Sequence, residues 1–456
     1  MIKIFNHYFH KLTLIRLGLD MVGIFLCVLI AVMLHHVSPQ SFWETVTTVF
    51  LVIVSIFLIV SAGLGFYQRV HHRSIGQTGA RAVLTWLCVL PFIYGLSTRV
   101  QDSRSFGLTL AALIAILLTV RVYTMYATPS NRMRQRVLIF GTGSRAKMVG
   151  TALLKSDPTI DLLGYYAGPN EQEAKVSEWG VLSMTNSLTD IVMEHQVDEI
   201  VVALSERRGG SMPLRELLDC KLQGVRVVDI ATHFERTLGQ IRLESLSAGW
   251  LIFGDGFGSG WMRALIKRIF DIVFASVLIA LTLPIMLVAA ILIVIEDGFP
   301  MLYLQERVGQ NGRLFNVVKF RSMRTDAEKD GQPRWADTKD TRVTKVGRVI
   351  RKFRIDELPQ LFGVLGGSMS MVGPRPERPY FVDTFTQNIP YYAVRHSVKP
   401  GVTGWAQVRY QYGASVEDSA EKLQYDLYYV KNHSLFLDIV VMFETIGVVL
   451  MGKGAQ

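Results

Sequence analysis

Cysteine is scarce in this chain, with three residues among 456, which excludes a disulfide-stabilised scaffold. Cys27 and Cys88 lie within apolar runs and Cys220 stands alone, so the cysteines do not have the spacing of a metal-binding pair. A small-residue cleavage site is also missing after the first apolar run, which we therefore interpret as a retained membrane anchor. Acidic residues are fewer than basic ones, 38 against 48, and the net charge of +10 favours anionic partners such as lipid head groups, nucleotides or nucleic acid.

Long apolar runs are plentiful. Half of the residues are hydrophobic and the mean hydropathy is +0.29, which is too apolar for an ordinary soluble enzyme. Four runs fill the first quarter of the chain, and all but the third approach the ~20 residues that a spanning helix needs. They cover roughly residues 12–33, 46–66, 82–96 and 106–125. Lysine and arginine are concentrated before the first run, between the second and third, and after the fourth, which predicts four spans with both ends in the cytoplasm.

A glycine turn marks the start of a different region. From about residue 131 the composition becomes that of a soluble α/β unit, and RVLIFGTGSRA reads as strand, glycine turn and helix. With DEIVVAL and GVRVVDI as further buried strands, the pattern predicts a small Rossmann-like domain. Gly141 and Gly143 are candidate cofactor-binding residues, since backbone N–H groups at such a turn can hold a phosphate. The acidic residue of the fingerprint is displaced to Glu171, so a relic or regulatory fold stays open as the alternative.

A second membrane signal lies beyond the middle of the chain. Residues 272–295 are uncharged, with Pro284 at the centre, where it removes one backbone hydrogen bond. Each half of about 12 residues reaches ~18 Å as a helix, which approaches the bilayer midplane but does not cross ~30 Å. Basic residues flank the run on both sides. We predict a helix–break–helix hairpin that enters and leaves on the cytoplasmic face, with a kinked spanning helix as the alternative.

Two adjacent carboxylates, Asp356 and Glu357, are the strongest chemical signal. Two ionised carboxylates at close range are costly unless cations compensate, and Arg354 is one of three basic residues just upstream. A Mg²⁺ ion, which is usually held by one or two carboxylates plus substrate phosphates, would compensate further. One carboxylate can then hold metal while the other attacks phosphorus. Pro359 favours a helix start just after the pair. The alternative is a solvated surface pair.

Four motifs after the apolar hairpin carry a family resemblance. KFRSM, DELPQL, VGPRPE and KPGVTGWAQV, in this order, resemble the bacterial sugar transferase family of polyisoprenyl-phosphate hexose-1-phosphate transferases. The resemblance covers Trp261 to the C-terminus, and the preceding connector resembles the exopolysaccharide branch associated with exosortase systems. It implies a membrane protein of α plus α/β class in three parts. These are four transmembrane helices in residues 1–127, a Rossmann-like (CoA-binding-like) domain in 128–250, and an α/β catalytic domain in 251–456 with a re-entrant helix at about 265–296.

The resemblance also implies a two-step reaction. Asp356 matches the nucleophile, which attacks the β-phosphate of a UDP-hexose and expels UMP, after which undecaprenyl phosphate takes up the phosphosugar. Glu357 matches the Mg²⁺ ligand. Five further residues match positions that contact phosphate or substrate in the family, namely Lys319, Arg321, Arg375, Arg409 and Asp426. Arg354 is added to these candidates because of its positive charge next to the dyad.

Two positions depart from the family pattern. Gly363 stands where members usually carry Asn, and Ser368 where they carry Asp, so we expect weaker hydrogen bonding around the dyad. The segment after GWAQV also differs from the common form, which leaves the role of Arg409 open.

The apolar tail from Ser434 is predicted either to lie in the plane of the bilayer or to pack on the catalytic core.

We therefore expect a multi-pass protein of a bacterial inner membrane that initiates exopolysaccharide synthesis and has its catalytic domain in the cytoplasm. Its expected partners are UDP-hexose, undecaprenyl phosphate and the lipid bilayer, without nucleic acid, and the resemblance is compatible with a homodimer. One alternative is a membrane-anchored sugar-nucleotide dehydratase or epimerase, but the Tyr-x-x-x-Lys that it needs does not occur. The other is a non-catalytic scaffold of polysaccharide assembly, against which the intact DELP sequence argues.

Overall fold

The structure of the protein is a computed structural model. It describes residues 2–4, 7–9, 11–35, 41–67, 75–98, 103–126, 135–156, 160–168, 176, 180–182, 187–204, 212–246, 251, 256–258, 260–324, 342–410, 413 and 415–450. The chain forms two compact units. One comprises residues 1–68, 83–114 and 246–456, and the other residues 69–82 and 115–245.

Apolar helices dominate the N-terminal quarter. A short antiparallel hairpin, β1 (Ile2–Ile4) and β2 (His7–Phe9), precedes them. The helices are α1 (Lys11–Leu34), α2 (Phe42–Gly63), α3 (Ile75–Ser97) and α4 (Ser103–Tyr126). Each contains a segment long and apolar enough to cross a membrane, as does a fifth helix later in the chain. Each of the four predicted runs corresponds to one helix, although the second run extends three residues past the end of α2. Helix α3 exceeds the third run because less apolar residues form its first turns.

The central region is a four-stranded parallel sheet between helices. Its elements are β3 (Gln135–Phe140), α5 (Ser144–Ser156), β4 (Ile160–Tyr166), α6 (Leu188–Glu194), β5 (Glu199–Val202), α7 (Leu214–Leu222), β6 (Arg226–Asp229) and α8 (Ile230–Leu238). The strand order is β4-β3-β5-β6, with α5 and α8 packed on one face and α6 and α7 on the other. The near-continuous apolar strands therefore form the doubly wound arrangement that the sequence predicted.

The glycine turn lies where the direction of strand order changes, between β3 and β5. Gly141 has φ +130°, and a Cβ there would stand 2.9 Å from the carbonyl oxygen of Ala203, so glycine is required at this close approach. The turn leads directly into α5. Glu171, the displaced acidic residue, lies outside the described residues.

A single helix, α9 (Trp261–Asp297), contains all the residues of the predicted hairpin. Pro284 lies inside it and does not end it, so the predicted break into two helices is not confirmed. Proline removes one hydrogen bond and bends a helix without having to terminate it. Arg268, near the start of α9, donates to the carbonyl oxygens of Val364 and Leu365 at 2.6 Å each. Near its end, Glu296 accepts from two backbone N–H groups, those of residues 345 and 346, at 2.7 and 2.8 Å.

The remaining elements build the candidate catalytic region. They are β7 (Leu302–Val308), β8 (Leu314–Phe320), α10 (Lys345–Lys352), α11 (Gln360–Gly366), β9 (Ser370–Val372), α12 (Pro379–Asn388), β10 (Gly401–Thr403), α13 (Trp405–Arg409), α14 (Val416–Asn432) and α15 (Leu435–Leu450). β7 and β8 form an antiparallel hairpin, and β9 pairs with β10 in parallel. The C-terminal helix α15 packs on the catalytic region at β9 and α13, and also on α2 of the transmembrane region.

Candidate active site

The Asp356–Glu357 pair lies in a tight bend between two helices. Helix α10 ends at Lys352, and Arg354 then adopts a left-handed conformation with φ 57° and ψ 22°. Residues other than glycine rarely adopt a positive φ, and those that do are often found at functional sites. A single 3₁₀ turn, Ile355–Glu357, follows, and α11 begins just after Pro359. The pair is therefore ahead of the helix start, as the proline predicted.

Glu357 is buried among three cationic side chains. Its Oε1 accepts from Arg375 Nη2 at 3.1 Å and from Lys319 Nζ at 3.4 Å, and its Oε2 accepts from Arg354 Nη1 at 3.3 Å. Burial by itself raises the pKa of Glu357, but the charge of Arg375, followed by those of Lys319 and Arg354, outweighs burial and holds the pKa well below its usual range. Glu357 is therefore ionised and hydrogen-bonded on both oxygens.

Asp356 is in a different situation. Its Oδ1 is shielded from solvent and has no hydrogen-bond partner within the part of the chain that the structure describes. Burial, and next the negative charge of Glu357, raise the pKa of Asp356 to about 6, although Lys319 and Arg354 partly offset both effects. An ionised carboxylate with one oxygen that accepts no hydrogen bond is suited to nucleophilic attack. The two adjacent carboxylates thus have different electrostatic environments.

Arg375 connects the pair to the rest of the site. Its Nη1 donates to Gln407 Oε1 at 3.2 Å, while its backbone carbonyl accepts from Arg395 Nη2 at 2.9 Å. Arg307 Nη1 donates to the carbonyl oxygen of Pro376, at 3.1 Å, in the same turn. Sequence reasoning did not single out these three neighbours. Gln407 belongs to the recognised GWAQV motif, whereas no motif distinguishes Arg395.

Three predicted phosphate or substrate ligands have other partners. Arg321 Nη2 donates to the carbonyl oxygens of Asp297 and Gly298, at 2.8 and 2.7 Å, at the C-terminal end of α9. Asp426 forms a buried ion pair with Arg395 at 2.8 Å. Arg409 pairs with Glu444 at 2.6 Å. Of the predicted set, the structure gathers Lys319, Arg354 and Arg375 around the dyad, while Gly141 and Gly143 belong to the other unit.

The two departures from the family pattern contact each other. The backbone N–H and the hydroxyl of Ser368 both donate to the carbonyl oxygen of Gly363, each at 3.1 Å. These bonds lie toward the C-terminal end of α11, whereas the dyad precedes its N-terminal end. Their effect on activity stays a prediction.

The donor set at the dyad suits one kind of metal. Among the described residues, no group of three or more His, Cys, Asp or Glu side chains could hold an ion. Asp356 and Glu357 supply two adjacent carboxylates, which is the number that Mg²⁺ commonly takes from a protein when phosphates complete its coordination. The residues therefore fit a magnesium ion that binds together with a phosphorylated substrate.

Comparisons with known proteins point to one family. The model described as bacterial sugar transferase matches residues 262–452, and one described as CoA-binding domain matches residues 62–213. The chain is 45% identical over 242 residues to UDP-N-acetylgalactosamine-undecaprenyl-phosphate N-acetylgalactosaminephosphotransferase of Aeromonas hydrophila, which covers 53% of this chain and 56% of that protein. It is 32% identical over 385 residues to undecaprenyl-phosphate glucose phosphotransferase of Komagataeibacter xylinus, covering 79% and 68%. It is 25% identical over 434 residues to UDP-glucose:undecaprenyl-phosphate glucose-1-phosphate transferase of Escherichia coli, covering 92% of each.

Proposed function

The chain belongs to the bacterial sugar transferase family, and we propose that it transfers hexose-1-phosphate from a UDP-hexose to undecaprenyl phosphate. The names of its relatives support this reaction class. They differ in the sugar, which is N-acetylgalactosamine in one and glucose in others, so the proposal is limited to a hexose.

One observation supports the proposed chemistry most directly. Among the described residues, Oδ1 of Asp356 has no hydrogen-bond partner, whereas both oxygens of the adjacent Glu357 accept hydrogen bonds. In the first step, an oxygen of Asp356 bonds to the β-phosphorus of the donor while the bond from that phosphorus to UMP breaks. In the second step, an oxygen of undecaprenyl phosphate bonds to the same phosphorus and the bond to Asp356 breaks. The carboxylate is restored, and the product is a sugar diphosphate lipid.

The cations around Glu357 suit a diphosphate substrate. Lysine offers a point charge and arginine a planar fork, and both are common phosphate-binding groups. Lys319, Arg354 and Arg375 would orient the donor phosphates beside Asp356. Glu357, together with Asp356, would hold Mg²⁺, which supplies additional positive charge for the phosphates when it is bound.

The arrangement of α9 supports a site at the membrane surface. Arg268 near one end and Glu296 near the other both bond to the same catalytic region, while Val277 and Leu281 between them are 52% and 69% exposed. Both ends of an apolar helix thus bind one polar domain, and its exposed middle is suited to lipid. We propose that α9 dips into the bilayer and returns to the cytoplasmic face, where a soluble nucleotide meets a lipid phosphate.

We propose that the enzyme acts at the start of exopolysaccharide synthesis in a bacterial inner membrane, with its catalytic region in the cytoplasm. The exopolysaccharide role rests on the resemblance of the connector before α9, and the apolar helices support the membrane location. A lipid-linked sugar must then be extended by glycosyl transferases that use a lipid-bound acceptor.

The nucleotide released by the full-length protein tests the proposal. Purified protein in lipid nanodiscs is given undecaprenyl phosphate with UDP-glucose or UDP-N-acetylgalactosamine, with Mg²⁺ or with EDTA. We expect UMP as the released nucleotide, and its loss in EDTA. Release of UDP would indicate simple glycosyl transfer, and absence of any release from a folded protein with every UDP-hexose would favour the scaffold.

A further inference from the structure

An imidazole from the N-terminal hairpin is inserted into the catalytic region. His7 is 6% exposed, and its Nδ1 lies 2.7 Å from the hydroxyl of Tyr428 in α14. The His7 ring also meets the indole of Trp405 edge-on, with centroids 5.4 Å apart, and Trp405 stacks on Tyr428. Burial, and next the charge of Arg409, lower the pKa of His7 to about 3, so the ring is neutral near pH 7. A residue of the hairpin that precedes α1 is therefore packed against aromatic rings of α13 and α14.

The transmembrane region also reaches α13 indirectly, through α15. Gly63, at the end of α2, lies against α15, where a Cβ on it would stand 3.3 Å from the carbonyl oxygen of Phe443. The next residue of α15, Glu444, accepts from Arg409 in α13 at 2.6 Å. The Arg409 guanidinium also lies 4.2 Å from the centroid of the Trp405 ring. The first residue of α13 thus contacts the N-terminal hairpin directly, and its last residue contacts α15, against which α2 packs.

Helix α13 continues this connection to the dyad. Its middle residue, Gln407, accepts from Arg375, and the other nitrogen of the same guanidinium donates to Glu357. Reacting groups must be held close to their productive geometry, and a displacement of ~1 Å can cost about 100-fold in rate. A shift of α13 would move Gln407 and release Arg375 from its orientation.

We propose that the N-terminal transmembrane region is a positioning element for the active site, with His7 and α2 holding α13 where Gln407 orients Arg375 against Glu357. The inference rests on the proposed function and extends it, since it gives the first two spans a role beyond anchoring. His7 is a positioning residue, because the contacts by which it reaches Glu357 pass through Trp405, Gln407 and Arg375.

The test compares single variants of the full-length protein in nanodiscs. His7→Ala removes the hydrogen bond and the edge contact, and we expect kcat for UMP release from UDP-glucose or UDP-N-acetylgalactosamine to fall about tenfold, with KM changed less than twofold. His7→Asn keeps a polar nitrogen near the position of Nδ1 and should restore most of kcat. His35→Ala is the matched control, since His35 also contacts a hydroxyl, that of Thr109 at 3.1 Å, and the ring of Phe106 in the transmembrane region. We expect its kcat to stay within twofold of wild type.

Coupling to Gln407 separates positioning from general stability. Gln407→Ala removes the contact through which His7 acts, so adding His7→Ala to it should lower kcat by less than twofold more. Independent effects that multiply, or an unchanged kcat in His7→Ala, would overturn the inference.

Amide hydrogen exchange gives a readout that does not depend on turnover. His7→Ala should speed exchange in residues 404–410 and 372–376, whereas His35→Ala should not. If the wild-type protein releases no UMP from any donor, the proposed function fails. The amide hydrogen exchange rates of residues 404–410 would then still test whether His7 holds α13 in place. Unchanged exchange at 404–410 in His7→Ala would overturn it in either case.

Discussion

The Nη2 of Arg375 lies 3.1 Å from Oε1 of Glu357, while Nη1 of the same guanidinium lies 3.2 Å from Oε1 of Gln407. One planar fork therefore fixes two side chains from different elements. Lysine has a single ammonium group and cannot reproduce both contacts in this geometry.

Replacing Arg375 by lysine should consequently impair catalysis although the charge is kept. A hydrogen bond to a charged group contributes about 1.5–3 kcal/mol, so we expect Arg375→Lys to lower kcat by roughly 10- to 100-fold. UMP release at saturating donor measures this. Arg313→Lys, in the exposed turn of the β7–β8 hairpin, is the control and should retain wild-type kcat. Equal activity of the two variants would contradict the role assigned to Arg375.

Asp356→Asn should abolish turnover and stabilise the metal-free protein at neutral pH. The pKa of Asp356 is about 6 in the folded protein against an ordinary value of 3.8, so ionisation of this group weakens folding as the pH rises through that interval. The amide removes this cost. We expect the Tm of the variant in EDTA to exceed that of wild type by about 2–4 °C at pH 7.5.

The same thermal scans at lower pH provide the internal control. At pH 4 the wild-type carboxyl is protonated when folded, so the difference in Tm between the two proteins should shrink. A difference that is constant with pH would show that ionisation of Asp356 does not produce it.

Arg321 should act on stability rather than on donor binding. It donates to the carbonyl oxygens of Asp297, the last residue of α9, and Gly298, the residue after it, at 2.8 and 2.7 Å, whereas the family resemblance predicts contact with phosphate. We expect Arg321→Lys to lower Tm, because one ammonium cannot hold both carbonyl groups as well, and to leave the KM for UDP-hexose within twofold. An increase in KM of tenfold or more at unchanged Tm would support the phosphate contact instead.

The buried ion pair of Asp426 and Arg395 offers a test that separates stability from activity. Asp426→Ala leaves the buried Arg395 without its carboxylate, and removing one partner of such a pair costs about 3–5 kcal/mol. Asp426→Leu combined with Arg395→Met should recover most of the stability but not the activity, because Arg395 also bonds to the backbone of Arg375 at 2.9 Å. Unfolding in denaturant and UMP release measure the two effects. Recovery of full activity by the double variant would contradict the support assigned to Arg395.

The sequence predicted local structure well where local forces determine it. The apolar runs, the parallel strands of the central sheet and the helix start after Pro359 follow from periodicity, burial and backbone restriction. The motif order also identified the family and the dyad. The predicted break at Pro284 is not confirmed, because a proline can bend a helix without ending it and the sequence alone does not distinguish the two outcomes.

Contacts between side chains far apart in the sequence could not be predicted. Arg321 and Arg409 have the chemistry of phosphate ligands, and only the fold reveals that their partners are the end of α9 and Glu444. His7 lies 421 positions from Tyr428, and nothing in a histidine before a span indicates such a contact. Conversely, Lys319 and Glu357 come together from motifs 38 residues apart, as the family resemblance implied.

A direct search for the phosphosugar bound to Asp356 is the most decisive measurement. Full-length protein is mixed with excess UDP-hexose and Mg²⁺ without undecaprenyl phosphate, quenched in acid within one turnover, and digested for mass spectrometry. We expect a hexose phosphate on the peptide that contains Asp356 and a burst of UMP equal to the enzyme present, with neither in Asp356→Asn. No adduct, and UMP released only when undecaprenyl phosphate is added, would contradict it.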